Sequence, residues 1–94
     1  MENKNKKIRI LVTGCVGFIG FHVCNFLTNK GFQVIGIDNI NTYYDIKLKK
    51  DRLKILNLRK NFNFYKIDIS NNLKLKKKFK KEEFEYVLHF AAQA

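Results

Sequence analysis

Gly14, Gly17 and Gly20 stand in a G-x-x-G-x-x-G spacing directly behind a short apolar run, Ile8-Arg9-Ile10-Leu11-Val12. That setting gives each glycine a task. Gly14 lets the chain turn sharply as it leaves a strand. Gly17 removes a side chain where backbone must come up against a pyrophosphate, and Gly20 lets the following helix pack closely on the sheet. The N–H groups of a helix's first turn have no partners inside the helix, and the helix dipole adds positive potential there. Such a start can receive a diphosphate without a lysine.

Asp38 lies about twenty residues beyond the glycines, the separation at which a dinucleotide-binding unit carries an acid. A carboxylate at the tip of a second strand can accept both ribose hydroxyls of an adenosine and would repel a 2′-phosphate, so NAD is expected rather than NADP. The plainer alternative is a turn residue, since Asp-Asn is a common turn pair. Asp68 closes a third apolar run in the same way; it either reaches an adenine edge or opens the next helix.

Other reactive side chains suggest less. Cys15 and Cys24 are the only cysteines; their spacing fits no zinc pattern, and they read as reduced, buried packing residues. His89 sits within an apolar run, which points to a packed or hydrogen-bonded structural role before acid–base work. Tyr43 and Lys47 are spaced Tyr-x-x-x-Lys, but they follow the second strand, at the adenosine end of such a site, and the spacing reads as accidental.

The elements that must position these groups follow from periodicity. Ile8–Val12, Phe32–Ile37, Phe62–Ile67 and Tyr86–Phe90 are short, apolar and rich in β-branched and aromatic residues, as buried strands are. Between the first two, Ile19, Val23, Phe26 and Leu27 recur at helical spacing and predict an inward stripe, closed by Asn29-Lys30-Gly31. A second helix is expected from about Ile46 to Arg59, with Leu48, Leu53, Ile55 and Leu56 as inward candidates. A third, capped near Ser70-Asn71-Asn72, would run through a lysine-rich stretch to about Phe84, with Leu75 and Phe79 as a thin apolar stripe. The order βαβαβαβ implies an α/β fold with a parallel, doubly wound sheet.

Ninety-four residues suffice for one small core. No apolar stretch is long enough to cross a bilayer, and the basic lead-in has no cleavage site behind it, so a cytoplasmic protein with no membrane partner is expected. The formal charge of +11 could mark a nucleic-acid partner. Yet Lys, Asn, Ile and Phe are abundant while Pro and Trp are absent, the profile of AT-rich codons. The lysines are also spread along several segments rather than interleaved with aromatics for stacking, so no nucleic-acid partner is expected. The fourth strand leads into nothing further, which suggests a fragment of a longer protein.

Taken together, Thr13-Gly14-x-x-Gly17-x-x-Gly20, Asp38-Asn39, Asp68-Ile69 and His89-Phe90-Ala91-Ala92 resemble the extended short-chain dehydrogenase/reductase family, in its NAD-dependent epimerase/dehydratase branch. The segment Asp38 to Asp45, followed by Leu48-Lys49, Arg52-Leu53 and Ala91-Ala92-Gln93-Ala94, is similar to the UDP-glucuronate 4-epimerase group. The resemblance implies a Rossmann-type NAD-binding domain over residues 1–94, incomplete at its C-terminus. It places the pyrophosphate on the Gly14–Gly20 loop, nearest the Phe18 and Ile19 amides. Asp38 would bind the adenosine ribose with Asn39 beside it; Asp68 and Ile69 would flank adenine; Ala91 and Ala92 would leave room toward the nicotinamide ribose. It further implies a nucleotide-sugar substrate, transient oxidation at the sugar's C4, a homodimer at full length, and a catalytic Tyr-x-x-x-Lys pair beyond the fourth strand, so that residues 1–94 alone are expected to be inactive. Three other readings stay open: another epimerase or a dehydratase of the branch, a non-catalytic NAD-binding module, and a basic nucleic-acid binder.

Overall fold

The computed structural model describes residues 8–40, 46–70, 73, 77 and 84–91. They form β1 (Arg9–Thr13), α1 (Phe18–Asn29), β2 (Gln33–Asp38), α2 (Ile46–Asn57), β3 (Phe62–Lys66) and β4 (Tyr86–His89). Each strand starts and stops at, or one position from, the apolar run that predicted it. Of the expected third helix only Leu73 and Lys77 are described, and both are helical; Leu75 and Phe79 lie outside the described residues.

All strand pairs are parallel, in the order β3-β2-β1-β4. The central strands β1 and β2 are covered best, as their unbroken β-branched runs require. The register sets Thr13 opposite both Ile37 and His89, and Asp38 opposite Lys66. The C-terminal ends of the strands therefore share one edge of the sheet, the edge where ligands of open α/β sheets bind. Each residue flagged by its chemistry and described in the structure stands on or just beyond that edge, apart from Cys24 and Lys47, which lie within α1 and α2.

The core joins Ile10 and Val12 of β1, Cys15 and Val16 of the glycine loop, Cys24 and Leu27 of α1, Val34 of β2, Leu56 of α2 and Phe62 of β3. Both cysteines are free and buried, as expected. Gly36 admits two of these side chains at once: a Cβ there would stand 2.7 Å from Cys15 Sγ and 2.8 Å from the Phe62 ring.

Two helix faces differ from expectation. On α1 the buried residues are Gly20, Cys24, Leu27 and Thr28, whereas Ile19 and Phe26 are both 59% exposed. Gly20 sets this phase. A Cβ on it would stand 2.0 Å from the Gly14 carbonyl oxygen, so the helix lies directly on the glycine loop. At 100° per residue the positions that share its side are 24, 27 and 28. On α2, Leu56 is buried and Leu53 packs against the core as expected, but Leu48 and Ile55 are exposed. Lys49 and Arg52 share the inner face instead.

The end of α1 is closed by a Schellman motif: Phe32 N–H donates to the Leu27 carbonyl at 3.1 Å and Gly31 N–H to that of Thr28 at 3.1 Å, with Gly31 at φ +94°. Asn61, just before β3, adds donors from Nδ2 to the Thr28 and Phe32 carbonyls at 2.9 and 2.8 Å. Arg59 reaches Asn25 and Asn29 from the same connection.

Candidate functional site

The glycine loop leaves β1 with its early amides already in use. Gly14 and Cys15 N–H both donate to the Ile37 carbonyl, at 2.8 and 3.2 Å, and Gly17 N–H donates to the Gly14 carbonyl at 3.1 Å. Gly14 turns at φ +69°, and a Cβ there would come within 2.6 Å of Ala91 N, so the end of β4 lies against the loop. Thr13 supports that contact: its buried Oγ1 accepts from Ala91 N–H at 3.4 Å and lies 3.2 Å from His89 Nδ1. His89 is thus hydrogen-bonded, as expected, although its side chain is exposed rather than packed away.

Gly17 differs from its two neighbours in the motif. A Cβ on it would meet only the Gly14 carbonyl oxygen, at an ordinary 3.4 Å, so the chain's own packing does not demand a glycine there. Gly17 is also the N-cap of α1, with no side chain capping the helix and no acidic residue in its first turn. The N–H groups of Phe18, Ile19 and Gly20 consequently have no partner within the helix. A bare helix start with a glycine at its N-cap fits an oxyanion of diphosphate size, approached by amides alone.

Asp38 stands one strand over, only 6% exposed. Its Oδ2 accepts from Val16 N–H at 3.3 Å, its Oδ1 accepts from Ile40 N–H at 2.8 Å, and Lys49 Nζ stands 3.7 Å from Oδ1. Ile40 takes a left-handed φ of 50°, unusual for a β-branched residue, in the turn that its bond to Asp38 closes. Asp38 therefore does more than a turn residue: it links the glycine loop, the exit from β2 and the inner face of α2.

Beyond β3, exposed Asp68 accepts from the backbone N–H and the hydroxyl of Ser70 at 2.9 and 2.8 Å. These donors, with a smaller contribution from the Asn39 side chain, hold its carboxyl below the usual carboxylate range. Asn39 and Asp68, assigned separately from sequence, are thus brought together at the ends of neighbouring strands, with half-buried Ile69 beside them. Ala91 abuts Gly14 on the other side. Ala92 and Gln93 lie outside the described residues, as does Tyr43; Lys47 of the Tyr-x-x-x-Lys spacing is on the solvent side of α2, paired with Asp51 at 2.9 Å.

Sequence reasoning assigned no role to Thr13, Gly36, Lys49 or Arg52. Arg52 Nη1 donates to the Val16 carbonyl at 3.0 Å. The spacing of Lys49, Arg52, Leu53 and Leu56 is itself a helical stripe; counting only apolar residues hid it. A lone glycine inside a strand, as at Gly36, marks a close approach and was legible for that reason. Among the described residues no cluster of His, Cys, Asp and Glu is placed to hold a metal, and no helix is long and apolar enough to cross a membrane.

Known proteins resemble this arrangement over nearly the whole chain. A UDP-glucuronate 4-epimerase of Thermodesulfobacterium geofontis is 48% identical over 84 residues, covering 89% of this chain and 26% of that protein. The Staphylococcus aureus protein CapI is 46% identical over 87 residues, covering 93% of this chain and 26% of CapI. The structure of UDP-glucuronic acid 4-epimerase from Bacillus cereus, solved with UDP-glucuronic acid and NAD, superposes with a TM-score of 0.77 at 37% identity over 90% of this chain and 26% of that one. The chain thus spans about a quarter of the length of the relatives it matches. The sequence model for GDP-mannose 4,6 dehydratase matches residues 11–94, from the middle of β1 through the glycine loop and Asp38 to the end of β4 and beyond, and the chain belongs to that family, one of NAD-dependent epimerases and dehydratases.

Proposed function

We propose that this chain is the NAD-binding portion of a nucleotide-sugar epimerase, and that the whole protein acts on UDP-glucuronate at C4. The observation that carries the reading is the pairing of uncapped amides at Phe18, Ile19 and Gly20 with the buried Asp38 carboxylate one strand away. The pyrophosphate would rest on those amides, beside Gly17, where a Cβ would meet only the Gly14 carbonyl oxygen at 3.4 Å. Asp38 would take the adenosine ribose, and its negative charge disfavours a 2′-phosphate. Asn39, Asp68 and Ile69 would border adenine, while Ala91 and Ala92 would leave room beside the nicotinamide ribose. When bound, such a cofactor supplies transient hydride acceptance from the sugar. The residues of this chain bind and orient it; they donate amides, accept ribose hydroxyls and keep bulk away from Gly17.

The choice of UDP-glucuronate is supported by the named relatives and by the Bacillus cereus structure. Dehydration of a nucleotide sugar is the second reading, supported by the description of the matching family. A cytoplasmic setting fits two buried free thiols. Calorimetric titration tests the cofactor assignment. NAD is expected to bind, NADP to bind at least about tenfold more weakly, and Gly17→Arg to lose NAD, since a long side chain would fill the diphosphate space. Equal affinity of the parent and Gly17→Arg for NAD would refute the placement. Conversion of UDP-glucuronate by the full-length protein, followed by chromatography of the sugar products, tests the substrate.

A further inference from the structure

Val16 carries the two peptide planes that lead into α1, and neither is held by the loop alone. The N–H of the first goes to Asp38 Oδ2 at 3.3 Å. The second plane joins Val16 to Gly17: its N–H goes to the Gly14 carbonyl at 3.1 Å and its C=O accepts from Arg52 Nη1 at 3.0 Å. Gly17 has no side chain to resist rotation of this plane, and Val16 is anchored on its other side, by its buried isopropyl group and its N–H bond to Asp38. The guanidinium that fixes it is itself seated. Arg52 Cζ lies 5.9 Å from the Phe18 ring centroid and 6.0 Å from that of Phe21, at the outer range of cation–π attraction, and Leu56 of the same helix is buried one turn on.

We propose that Arg52 is a positioning residue for the diphosphate cradle: it locks the Val16–Gly17 peptide plane and so aims the Phe18, Ile19 and Gly20 amides. The inference rests on the NAD reading given above. A guanidinium suits the task because it is planar, permanently charged and can donate in plane while its face lies near aromatic rings. A lysine ammonium has the charge without the fork. Positioning is therefore separable from a simple electrostatic contribution to phosphate binding.

The test compares Arg52→Leu and Arg52→Lys with the parent in the full-length protein. Calorimetry gives NAD affinity, saturation-transfer NMR gives adenosine affinity, and amide exchange at Gly17 reads the loop without ligand. Loss of a charge-assisted bond is expected to weaken NAD about tenfold in both variants, with adenosine within about twofold of the parent. Gly17 exchange is expected to quicken in both. Restoration of NAD affinity by Arg52→Lys would overturn the proposal in favour of charge alone. An equal loss of adenosine would overturn it in favour of general damage, and unchanged NAD affinity would overturn it outright. If Arg52→Leu does not fold, Arg52→Lys carries the comparison. If the parent itself does not bind NAD, the cofactor reading fails, and Gly17 exchange alone decides whether Arg52 fixes the loop: quickened supports it, unchanged overturns it.

Discussion

At the scale of single residues, two glycines with similar backbone angles do different work. Gly14 and Gly31 both have positive φ, +69° and +94°. A Cβ at Gly31 meets nothing within 4 Å, while one at Gly14 would meet the backbone of Phe90 and Ala91 at 2.6 to 2.8 Å. Gly31→Ala should therefore cost only the left-handed conformation, roughly 1 kcal/mol. Gly14→Ala adds displacement of β4 and should cost at least about 2 kcal/mol more. Urea denaturation of the two variants checks the order; equal losses would mean that β4 yields freely. Asp38 illustrates a different lesson. Its carboxylate is engaged by Val16 and Ile40 amides and lies near Lys49, so a substitution there disturbs loop, turn and α2 together.

At the scale of elements, the end of α1 and the start of β3 are joined by side-chain donors as well as by the shared core of Leu27 and Phe62. Asn61 Nδ2 donates to two carbonyls at this junction, that of Thr28, which also accepts the Gly31 N–H, and that of Phe32 just beyond the helix. Asn61→Ala would strip both bonds from a half-buried junction, and a loss of about 1 to 2 kcal/mol is expected in chemical denaturation. Asn61→Asp keeps the shape but offers no N–H donors and should be no better. The same scale explains why α1 carries exposed Phe18, Ile19 and Phe26. A helix has one phase, and contact between Gly20 and the Gly14 carbonyl determines it. The larger apolar residues then fall where that phase leaves them.

For the molecule as a whole, burial of the two thiols links stability to alkaline pH. Desolvation pushes the Cys24 thiol up from its ordinary 9.0 to about 12, and burial raises Cys15 as well, aided by the nearby Cys24 and Asp38. In the unfolded chain both thiols ionise near 9.0, while the native state keeps its protons. The unfolded state then binds fewer protons, so stability is full below that pH and falls as pH rises above it. The denaturation midpoint is expected to drop between pH 8 and 10, and a Cys15→Ala, Cys24→Ala double variant should show a shallower decline. Iodoacetamide at pH 8 should modify the native thiols roughly a hundredfold more slowly than the denatured ones, as monitored by mass spectrometry. Comparable rates would contradict the buried placement of Cys15 and Cys24.

Sequence alone determined the four strands, the two helices between the first three of them, the parallel sheet and the candidates at its C-terminal edge. Strand length, glycine spacing and the distance to Asp38 are local or periodic properties, and each survives in the structure. The closeness of Asn39 to Asp68 was implied only through their like positions at strand ends. Tertiary structure decided what one-dimensional patterns cannot carry: the rotational phase of α1, the presence of Lys49 and Arg52 on the inner face of α2, and the use of Thr13 to hold Ala91. The physical reason is common to all three. A close backbone approach, here Gly20 on Gly14, constrains a helix more strictly than its apolar count does, and a cation faces inward when carbonyl and carboxylate acceptors on other elements await it.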